Sequence, residues 1–460
     1  MVNADIPANW PSIEPQHGVV QVGKLEHRKL SPVNSDHSNS EITGLQFLVM
    51  AVCSLGLSID LAEVALGSVL STVMAAPPNA IGSEQLTLLL AAAYVGAIVG
   101  APLFGSLGDV YGRRTMLIAA MLIMAITSLA AGLPQGITHL TILRAVSGLA
   151  LGAYPPLLFV YLSEILPPAR RGTMLMIVIA FANLSPPLVL VAVAWLTPLA
   201  PLGIAGWRWA FVVVGIAAAI CALMFCLIPE SPRWLLQKGK ADQLGKIPLM
   251  LQGSQASLRL SKEIDASQPL AIQTSAINHE HRRRLVFVLV ALFLPAWAIF
   301  GFPLLAGPAL LQKGVNVKDS LLYVGGSSIA PIAGTIIGSI MIDRYDRRAT
   351  IVASATVMAI VSMLFAVAQS PFWLVASATV VVLASSLLLP VLLLYAAELF
   401  ETERRASSVS WGWASSRVSS ALMPIALVPI LLSNGAIATF SITSAMLLVF
   451  VFILLVFGPR

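Results

Sequence analysis

Residues 105–115 read GSLGDVYGRRT, and residues 339–349, at an offset of 234, read SIMIDRYDRRA. An aspartate and a pair of arginines return at the same places in the second copy. A second set of residues repeats in the same register, and it consists of Tyr161, Glu164, Arg170 and Arg171 with the mates Tyr395, Glu398, Arg404 and Arg405. One register for two separate motifs indicates an internal duplication. It predicts two related halves about a pseudo-twofold axis.

The composition places this duplicated chain in a membrane. Of its 460 residues 58% are hydrophobic and only 10% are charged, whereas soluble domains carry about 25% charged residues. A soluble chain this apolar lacks the polar groups that cover a surface in water. The composition excludes a soluble enzyme, and the sequence contains no nucleophile motif, phosphate loop or cluster of metal ligands. We expect no enzymatic activity, no metal and no cofactor.

Apolar segments of membrane-spanning length follow one another with short breaks between them. They predict an all-α membrane protein with twelve transmembrane helices in two pseudo-symmetric six-helix bundles. The predicted divisions are a disordered cytoplasmic tail (1–43), an N-terminal bundle (44–228), a cytoplasmic central loop (229–284) and a C-terminal bundle (285–460). The predicted spans are 45–75, 85–107, 115–133, 138–164, 172–198, 207–228, 285–311, 320–342, 349–369, 371–398, 406–432 and 435–457.

The distribution of basic residues predicts the orientation. With both termini in the cytoplasm, 22 of the 27 Lys and Arg residues fall in cytoplasmic segments. Arg208, Lys313 and Lys318 fall outside, and Arg144 and Arg417 fall within helices. This is the positive-inside pattern of a multi-pass protein of an inner or plasma membrane. It also accounts for the net charge of +6 without nucleic acid. The expected partners are the lipid bilayer and a small-molecule substrate, and we expect the chain to function as a monomer.

Three motifs together resemble a known family. GSLGDVYGRR, between the second and third predicted helices, resembles the signature of the major facilitator superfamily. RAVSGLALGAYPPLLFVYLSEILPPARRG from residue 144 and PESPRWLL from residue 229 are similar to signatures of its sugar porter and organic-ion branch. The resemblance covers residues 45–460 and implies alternating access to a central site, as in metabolite:proton symporters. The second copy departs from the pattern, since Ser339 and Asp346 replace the usual glycines and Glu401 replaces a common proline.

The seventh predicted helix departs most from the sugar porters. In that family this helix carries a Gln-rich and Tyr-Tyr pattern that holds hydroxyl groups, whereas here it reads LVFVLVALFLPAWAIFGFPLLAG over residues 285–307. A polyol needs many hydrogen-bond partners, and this helix offers almost none. The sequence therefore disfavours a sugar as the substrate.

Four ionisable residues fall well inside the predicted helices, namely Asp60 and Glu63 in the first, Arg144 in the fourth and Arg417 in the eleventh. A charge within the bilayer costs at least about 2.5–3.5 kcal/mol, so each needs a partner or a water-filled cavity. Proton-coupled members of the resembled family pair an acid in helix 1 with an arginine at the Arg144 position. The resemblance implies a proton-coupling group of Asp60, Glu63 and Arg144, in which Asp60 carries the proton and pairs with Arg144. The alternative is a fixed structural ion pair.

Arg417 lies eleven residues into the span 406–432, about 17 Å along its axis and near the middle of the membrane. Its repeat mate is Asn183, and the C-terminal half has no buried acid of its own. A guanidinium suits a carboxylate or phosphate, and anion-transporting relatives also carry a basic residue in helix 11. We therefore expect Arg417 to bind an anionic substrate. The alternative is that Glu63 neutralises it across the cavity.

Aromatic residues in the same region favour an aromatic or otherwise apolar carboxylate, although such residues also form interfacial belts or face lipid. The expected substrate-binding residues are Arg417, Asn183, Trp297, Tyr323, Tyr395, Trp411, Trp413 and Tyr154. A second group near the cytoplasmic surface is expected to form the ion pairs of a gate, or else only to signal topology. Its members are Asp109, Arg113, Arg114, Glu164, Arg171, Glu230, Arg233, Asp343, Arg347, Arg348, Glu398 and Arg405.

These observations together predict a secondary active transporter, which we interpret as a proton-coupled symporter of a small organic anion. An organic cation or drug transporter would instead use Asp60 or Glu63 as the counter-ion. A sugar transporter of the same fold is a further alternative. A non-transporting nutrient sensor would bind its ligand without flux.

Overall fold

The computed structural model describes residues 44–133, 136–166, 171–239, 279–341, 346–400 and 402–459. Within these ranges eleven helices are long and apolar enough to cross a membrane. The predicted tail, most of the predicted central loop and Asp343 lie outside the described residues, as does the side chain of Arg405.

Helices make up nearly all of the described chain. The N-terminal half contains α1 (Gly44–Val73), α2 (Ser83–Tyr111), α3 (Arg113–Gly132), α4 (Ile137–Ile165), α5 (Arg171–Ala182), α6 (Ser185–Leu196) and α7 (Gly206–Phe225), followed by the short α8 (Pro232–Gln237). The C-terminal half contains α9 (His279–Gln312), α10 (Val317–Ser327), α11 (Ala330–Met341), α12 (Arg347–Val367), α13 (Pro371–Glu398) and α14 (Thr402–Phe457). The pair α5 and α6 forms one interrupted span, and so does the pair α10 and α11.

Helix α14 contains two spans because its backbone breaks at Gly435. This residue has φ 82° and ψ −179°, a conformation that is essentially confined to glycine. The break falls between the predicted spans 406–432 and 435–457. With α14 counted as two, the described residues contain twelve helical segments long and apolar enough to cross a membrane. The predicted fold class is confirmed.

Glycines let α2 and α4 pack backbone against backbone. A Cβ added at Gly148 would lie 2.1 Å from the carbonyl oxygen of Ala93, and one at Gly152 would lie 2.2 Å from that of Ala97. In a bilayer, helices associate through such close contact because lipid provides no hydrophobic driving force. At Gly148 and Gly152 any larger residue would push the two helices apart. The contact also fixes the rotation of α4, which positions Arg144 one turn before Gly148.

Matching contacts in the two halves confirm the internal repeat. Arg114 donates to two carbonyl oxygens at the end of α7, both at 2.8 Å. Its mate Arg348 donates to two carbonyl oxygens at the end of α14, at 2.9 and 2.6 Å. Each arginine satisfies carbonyls that lack a partner within their own helix. We call this side of the bundle the arginine-rich end, and the side at which α1 and α9 terminate the far end.

Candidate functional site

Glu63 and Arg144 form the buried ion pair of the N-terminal half. Arg144 Nη1 lies 2.7 Å from Glu63 Oε2, and Arg144 Nη2 donates to the backbone carbonyl of Glu63 at 3.4 Å. The hydroxyl of Ser128 donates to the other carboxylate oxygen. Glu63 is 0% exposed and Arg144 is 5% exposed. The cluster joins α1, α3 and α4 inside the membrane, and removing either charge would leave the other buried and uncompensated.

The predicted pairing of Asp60 with Arg144 is wrong, and the reason is depth. Arg144 lies seven residues from the start of α4, and Glu63 lies ten residues from the end of α1, or about 10 and 15 Å from the far end. Asp60 lies thirteen residues from that end, at about 20 Å. The alternative in which Glu63 neutralises Arg417 is also contradicted, because both carboxylate oxygens of Glu63 already have partners.

Asp60 and Arg417 are the other two ionisable residues predicted inside the membrane, and they come from opposite halves. The side chain of Arg417 is partly exposed. Asp60 is only 4% exposed. Neither Asp60 Oδ1 nor Arg417 Nε has a hydrogen-bond partner among the residues that the structure describes. Each side chain nevertheless lies in the electrostatic field of the other, and Tyr94 of α2 lies in the field of Arg417. The two groups form an incompletely satisfied charge pair between the halves, which offers partners to a charged ligand.

Two aromatic rings orient the guanidinium of Arg417. Its Cζ lies 4.6 Å from the ring centroid of Trp413 and 5.3 Å from that of Phe300. Stacking of this kind holds the guanidinium plane and leaves its edge free to donate hydrogen bonds. Trp297, one turn before Phe300, is buried, and its Nε1 has no partner within the described ranges. The structure thus places Arg417 with two aromatic rings of its own half, Trp413 and Phe300.

Two other predicted binding residues lie where helices from different parts of the fold meet. Asn183 Nδ2 donates to Thr335 Oγ1 at 3.3 Å and so links the two halves. The hydroxyl of Tyr154 is buried against Gly56 of α1 and has no partner in the described part of the chain. Two further predicted binding residues, Trp411 and Tyr323, are at least partly exposed.

Tyr395 lies at the arginine-rich end, away from Arg417. Its hydroxyl donates to the carbonyl oxygen of Pro459 at 2.5 Å. Its repeat mate Tyr161 donates to the carbonyl oxygen of Pro229 at 2.6 Å. The matching contacts indicate that each tyrosine braces the end of its half, and they do not bring Tyr395 to the predicted binding site.

We expect Tyr395→Phe to lower the free energy of unfolding by about 1 kcal/mol, because it removes one buried hydrogen bond. Substrate affinity should be unchanged. Tyr161→Phe is the matched control and should lower stability by a similar amount. Thermal unfolding of the purified variants and ligand titration measure the two quantities. A Tyr395→Phe protein with wild-type stability and weakened binding would return this tyrosine to the substrate site.

The predicted gate residues form ion pairs within each half. Arg113 lies 2.7 Å from Asp109 and 3.8 Å from Glu164. Their mates Arg347 and Glu398 pair in the same way in the C-terminal half. Across the described ranges no ion pair joins the two halves at the arginine-rich end.

Glu230 connects two of the sequence motifs. Its carboxylate accepts a hydrogen bond from the backbone N–H of Arg114 at 2.9 Å and so caps the start of α3. The carboxylate packs against Gly112, where φ is 106° and an added Cβ would lie 2.3 Å from Glu230 Oε2.

Two other predicted gate residues lie apart from the contact of Glu230 with Arg114. Arg233 is exposed. Arg171 donates a hydrogen bond to the carbonyl oxygen of Leu166 at 3.5 Å.

Contacts between the halves are found at the far end. Ser71 Oγ of α1 donates to the carbonyl oxygen of Leu304 in α9 at 2.5 Å. Lys318 Nζ of α10 lies 4.0 Å from the ring centroid of Trp195 in α6. The halves are therefore joined at the far end, while the charged residues described at the arginine-rich end pair only within their own half.

Sequence reasoning missed two side chains next to the intramembrane charges. Ser128 donates a hydrogen bond to Glu63, and Tyr94 lies close enough to Arg417 to interact with its charge. The only signal for either residue is a polar atom inside an apolar span. Uncharged polar residues are common at helix contacts in membranes, so this signal does not single out a site.

Comparisons with known proteins agree with this fold. A family model described as "Sugar (and other) transporter" matches residues 42–460. An arabinose-proton symporter of Bacillus subtilis is 26% identical over 289 residues, which cover 60% of this chain and 61% of the symporter. A niacin transporter of Acinetobacter baylyi is 23% identical over 372 residues, which cover 80% of this chain and 83% of that protein.

A solved structure supports the fold independently. The inward-open conformation of the xylose transporter XylE from E. coli superposes with a TM-score of 0.75. The sequences are 19% identical, and the match covers 90% of this chain and 96% of that structure. The likeness concerns the arrangement of helices and carries no information about the substrate of this chain.

Proposed function

This chain belongs to the sugar (and other) transporter family of the major facilitator superfamily, and from that premise we propose that it is a proton-coupled symporter of a small organic anion. Its relatives are transporters and not enzymes. The proposed substrate is a carboxylate, and an aromatic carboxylate fits best. The proposed location is an inner or plasma membrane, with both termini and the arginine-rich end in the cytoplasm.

The observation that carries the proposal is the environment of Arg417. This guanidinium lies near the middle of the membrane, over the rings of Trp413 and Phe300, and its Nε has no partner in the described structure. A cation without full compensation is costly inside a bilayer. A substrate carboxylate would supply two charge-assisted hydrogen bonds in the fork geometry that arginine favours, while the rings would contact an aromatic substrate body.

Charge balance supports proton coupling at Asp60. With Asp60 ionised and Arg417 charged, the pair has no net charge. A substrate carboxylate on Arg417 would bring an excess negative charge, and a proton on Asp60 would remove it. The site is neutral when the anion and the proton are both bound and when both are absent. With only one of them bound it carries an uncompensated charge, which is costly inside the membrane. The helices can therefore rearrange at low cost only in the fully loaded and the empty state. Both groups belong to one chain, so the mechanism needs no partner subunit and no cofactor besides the proton.

A sugar is the first competing substrate, because the arabinose symporter and the xylose transporter are named for sugars. A site that binds a polyol needs many polar side chains. Between Leu285 and Leu311, α9 contains no Ser, Thr, Asn, Gln or charged residue, and Trp297 is its single polar side chain. Niacin, for which another relative is named, is a pyridine carboxylic acid and matches the proposed substrate class.

An organic cation is the second competing substrate. The specific observation in its favour is Asp60 Oδ1, which is buried and has no hydrogen-bond partner among the described residues. A cation bound at Asp60 would be repelled by Arg417, whose charge acts on the same carboxylate. Transport of a cation would thus require another group to shield Arg417, whereas transport of an anion would not.

Uptake by the purified protein in proteoliposomes tests the proposal. An acid-outside pH gradient should drive accumulation of an aromatic carboxylate such as nicotinate or benzoate. With one proton per anion, a gradient of one pH unit supports about tenfold accumulation. The matched probes are nicotinamide, which lacks the charge, xylose and a quaternary amine. Preferential, gradient-driven uptake of xylose or of the amine would overturn the anion assignment, and ligand binding without any flux would indicate a sensor.

A further inference from the structure

A cavity of about 490 Å³ lies at the arginine-rich end, between the first turns of α9 and the last turns of α14. One part of its lining is charged and includes Glu280, Arg283 and Arg284, while the rest is mostly apolar and includes Val290 and Val456. The cavity is separate from the central charges, because it lies at the ends of these helices. The proposed transport mechanism makes no use of it.

The lining changes from charged to apolar at the level of the membrane surface. The apolar stretch of α9 begins at Leu285, directly after the arginines, and that of α14 ends at Phe457. Val286 and Val456 are 52% and 55% exposed, which for side chains at this depth means exposure to lipid. The two arginines therefore lie at the depth of the phospholipid headgroups, and the apolar part of the cavity faces the hydrocarbon.

The two arginines have different surroundings. Arg284 pairs with Glu280 and donates to the carbonyl oxygen of Leu399 at 2.9 Å, so its guanidinium is held in place. Arg283 is exposed and takes part in no ion pair within the described ranges. One positioned guanidinium and one uncompensated guanidinium at the mouth of a cavity suit a phosphate group, which accepts several charge-assisted hydrogen bonds.

We propose that this cavity binds a phospholipid with an anionic headgroup, whose phosphate contacts Arg283 and Arg284 and whose acyl chain lies along Val290 and Val456. Basic pockets between transmembrane helices on the cytoplasmic side bind anionic lipid headgroups in this way. The volume lies in the range of small-ligand pockets, so it holds the headgroup and the beginning of one chain. The exposed wall lets the chain continue into the bilayer. A free phosphate ion would use the arginines but gain nothing from the apolar wall.

Native mass spectrometry of the full-length protein in detergent tests the proposal with phosphatidylglycerol and phosphatidylethanolamine as probes. We expect phosphatidylglycerol to bind at least fivefold more tightly, and we expect Arg283→Gln to weaken it by about fivefold, the effect of one basic residue at an anionic surface. Val290→Trp should weaken it as well, because the indole fills the apolar part of the cavity. Lys238→Gln, which removes an exposed cation outside the cavity, is the matched control and should leave binding unchanged.

The comparison of the two lipids and the three variants decides whether the cavity is a specific site for an anionic phospholipid. Equal binding of the two lipids, or an unchanged affinity in Arg283→Gln, would overturn the proposal. An equal loss in Lys238→Gln would show general electrostatic attraction and would overturn it too. Inorganic phosphate that competes at the same concentration as the lipid would identify a free-anion site instead. Because Arg283 is exposed, its variant should retain the wild-type unfolding temperature, which confirms that any loss is specific.

Discussion

Arg417→Gln is expected to lower the apparent affinity for an aromatic carboxylate by about 100-fold or more. The guanidinium edge can donate two charge-assisted hydrogen bonds to a carboxylate, and such bonds contribute about 1.5–3 kcal/mol each. Losing about 3 kcal/mol corresponds to a factor of about 100 in binding. Glutamine keeps a polar amide, but it is shorter than arginine and supplies no charge to balance the anion. Titration of the purified variant and uptake in proteoliposomes measure the loss.

Arg417→Lys separates the charge from the shape of the guanidinium. Lysine keeps the cation but loses the two-pronged geometry and the stacking on Trp413 and Phe300. We expect the affinity of Arg417→Lys for the carboxylate to be about tenfold lower than that of wild type, a smaller loss than in Arg417→Gln. The matching ligand control is an amide analogue of the carboxylate. Wild-type protein should strongly prefer the acid, and Arg417→Gln should bind acid and amide alike.

Two results would remove Arg417 from the binding site. One is wild-type carboxylate affinity in Arg417→Gln. The other is an equal loss for the acid and its amide, which would point to damaged packing around Trp413 and not to lost charge recognition. A transporter of organic cations would behave in the opposite way and should retain its uptake when this arginine is removed.

The membrane fold was predictable because the bilayer leaves few choices. Backbone groups in hydrocarbon must be satisfied inside helices, so each long apolar run between polar breaks had to be a helix. The repeat of Arg114 as Arg348 could be read directly from the sequence. The matching contacts of these two arginines with helix ends follow from the duplication. The break at Gly435 was also predictable, since the apolar run from 406 to 457 is about twice as long as one span.

The pairing of the buried charges was not predictable from the sequence. Asp60 and Glu63 share one helix face, and a choice between them depends on the relative depth of α1 and α4. That depth is set by contacts between the two helices, such as Tyr154 of α4 against Gly56 of α1, and by the loops. A helical pattern measures neither. An error of one turn, about 5.4 Å, is enough to exchange the partner of Arg144. Asp60 and Tyr94 approach Arg417 from the N-terminal half, so their proximity depends in the same way on how the two halves meet.

The two acids of α1 should therefore behave differently when they are neutralised. Glu63→Gln leaves Arg144 as a buried charge with only a polar partner, and breaking a buried pair of this kind costs about 3–5 kcal/mol. We expect a clear fall in the unfolding temperature of this variant. Asp60→Asn removes a charge that has no hydrogen-bonded partner at Oδ1 among the described residues, and the fall should be much smaller. Thermal unfolding of both proteins in one detergent compares them directly.

Asp60→Asn is expected to abolish proton-driven accumulation while exchange of the anion continues. Asparagine has the shape of a protonated aspartate, so the variant is fixed in the state that accepts a carboxylate on Arg417. Substrate binding should become independent of pH, whereas wild-type binding should strengthen as the pH falls. With a gradient of one pH unit, wild-type vesicles should reach about tenfold accumulation and the variant only the outside concentration. Counterflow of labelled substrate measures the exchange that remains.

The double variant Asp60→Asn with Arg417→Gln tests whether these two residues act as a pair. Arg417→Gln alone removes the cation near Asp60, so folding must bury an uncompensated carboxylate or protonate it. This variant should therefore be less stable than the double variant, in which neither charge remains. Residues that act on each other give a coupling energy of about 0.5–3 kcal/mol in such a cycle. Strictly additive effects on the unfolding temperature would show that the two charges do not interact. Proton binding at Asp60 would then have no direct way to control the anion at Arg417, and the coupling site would have to be sought in the Glu63 and Arg144 cluster.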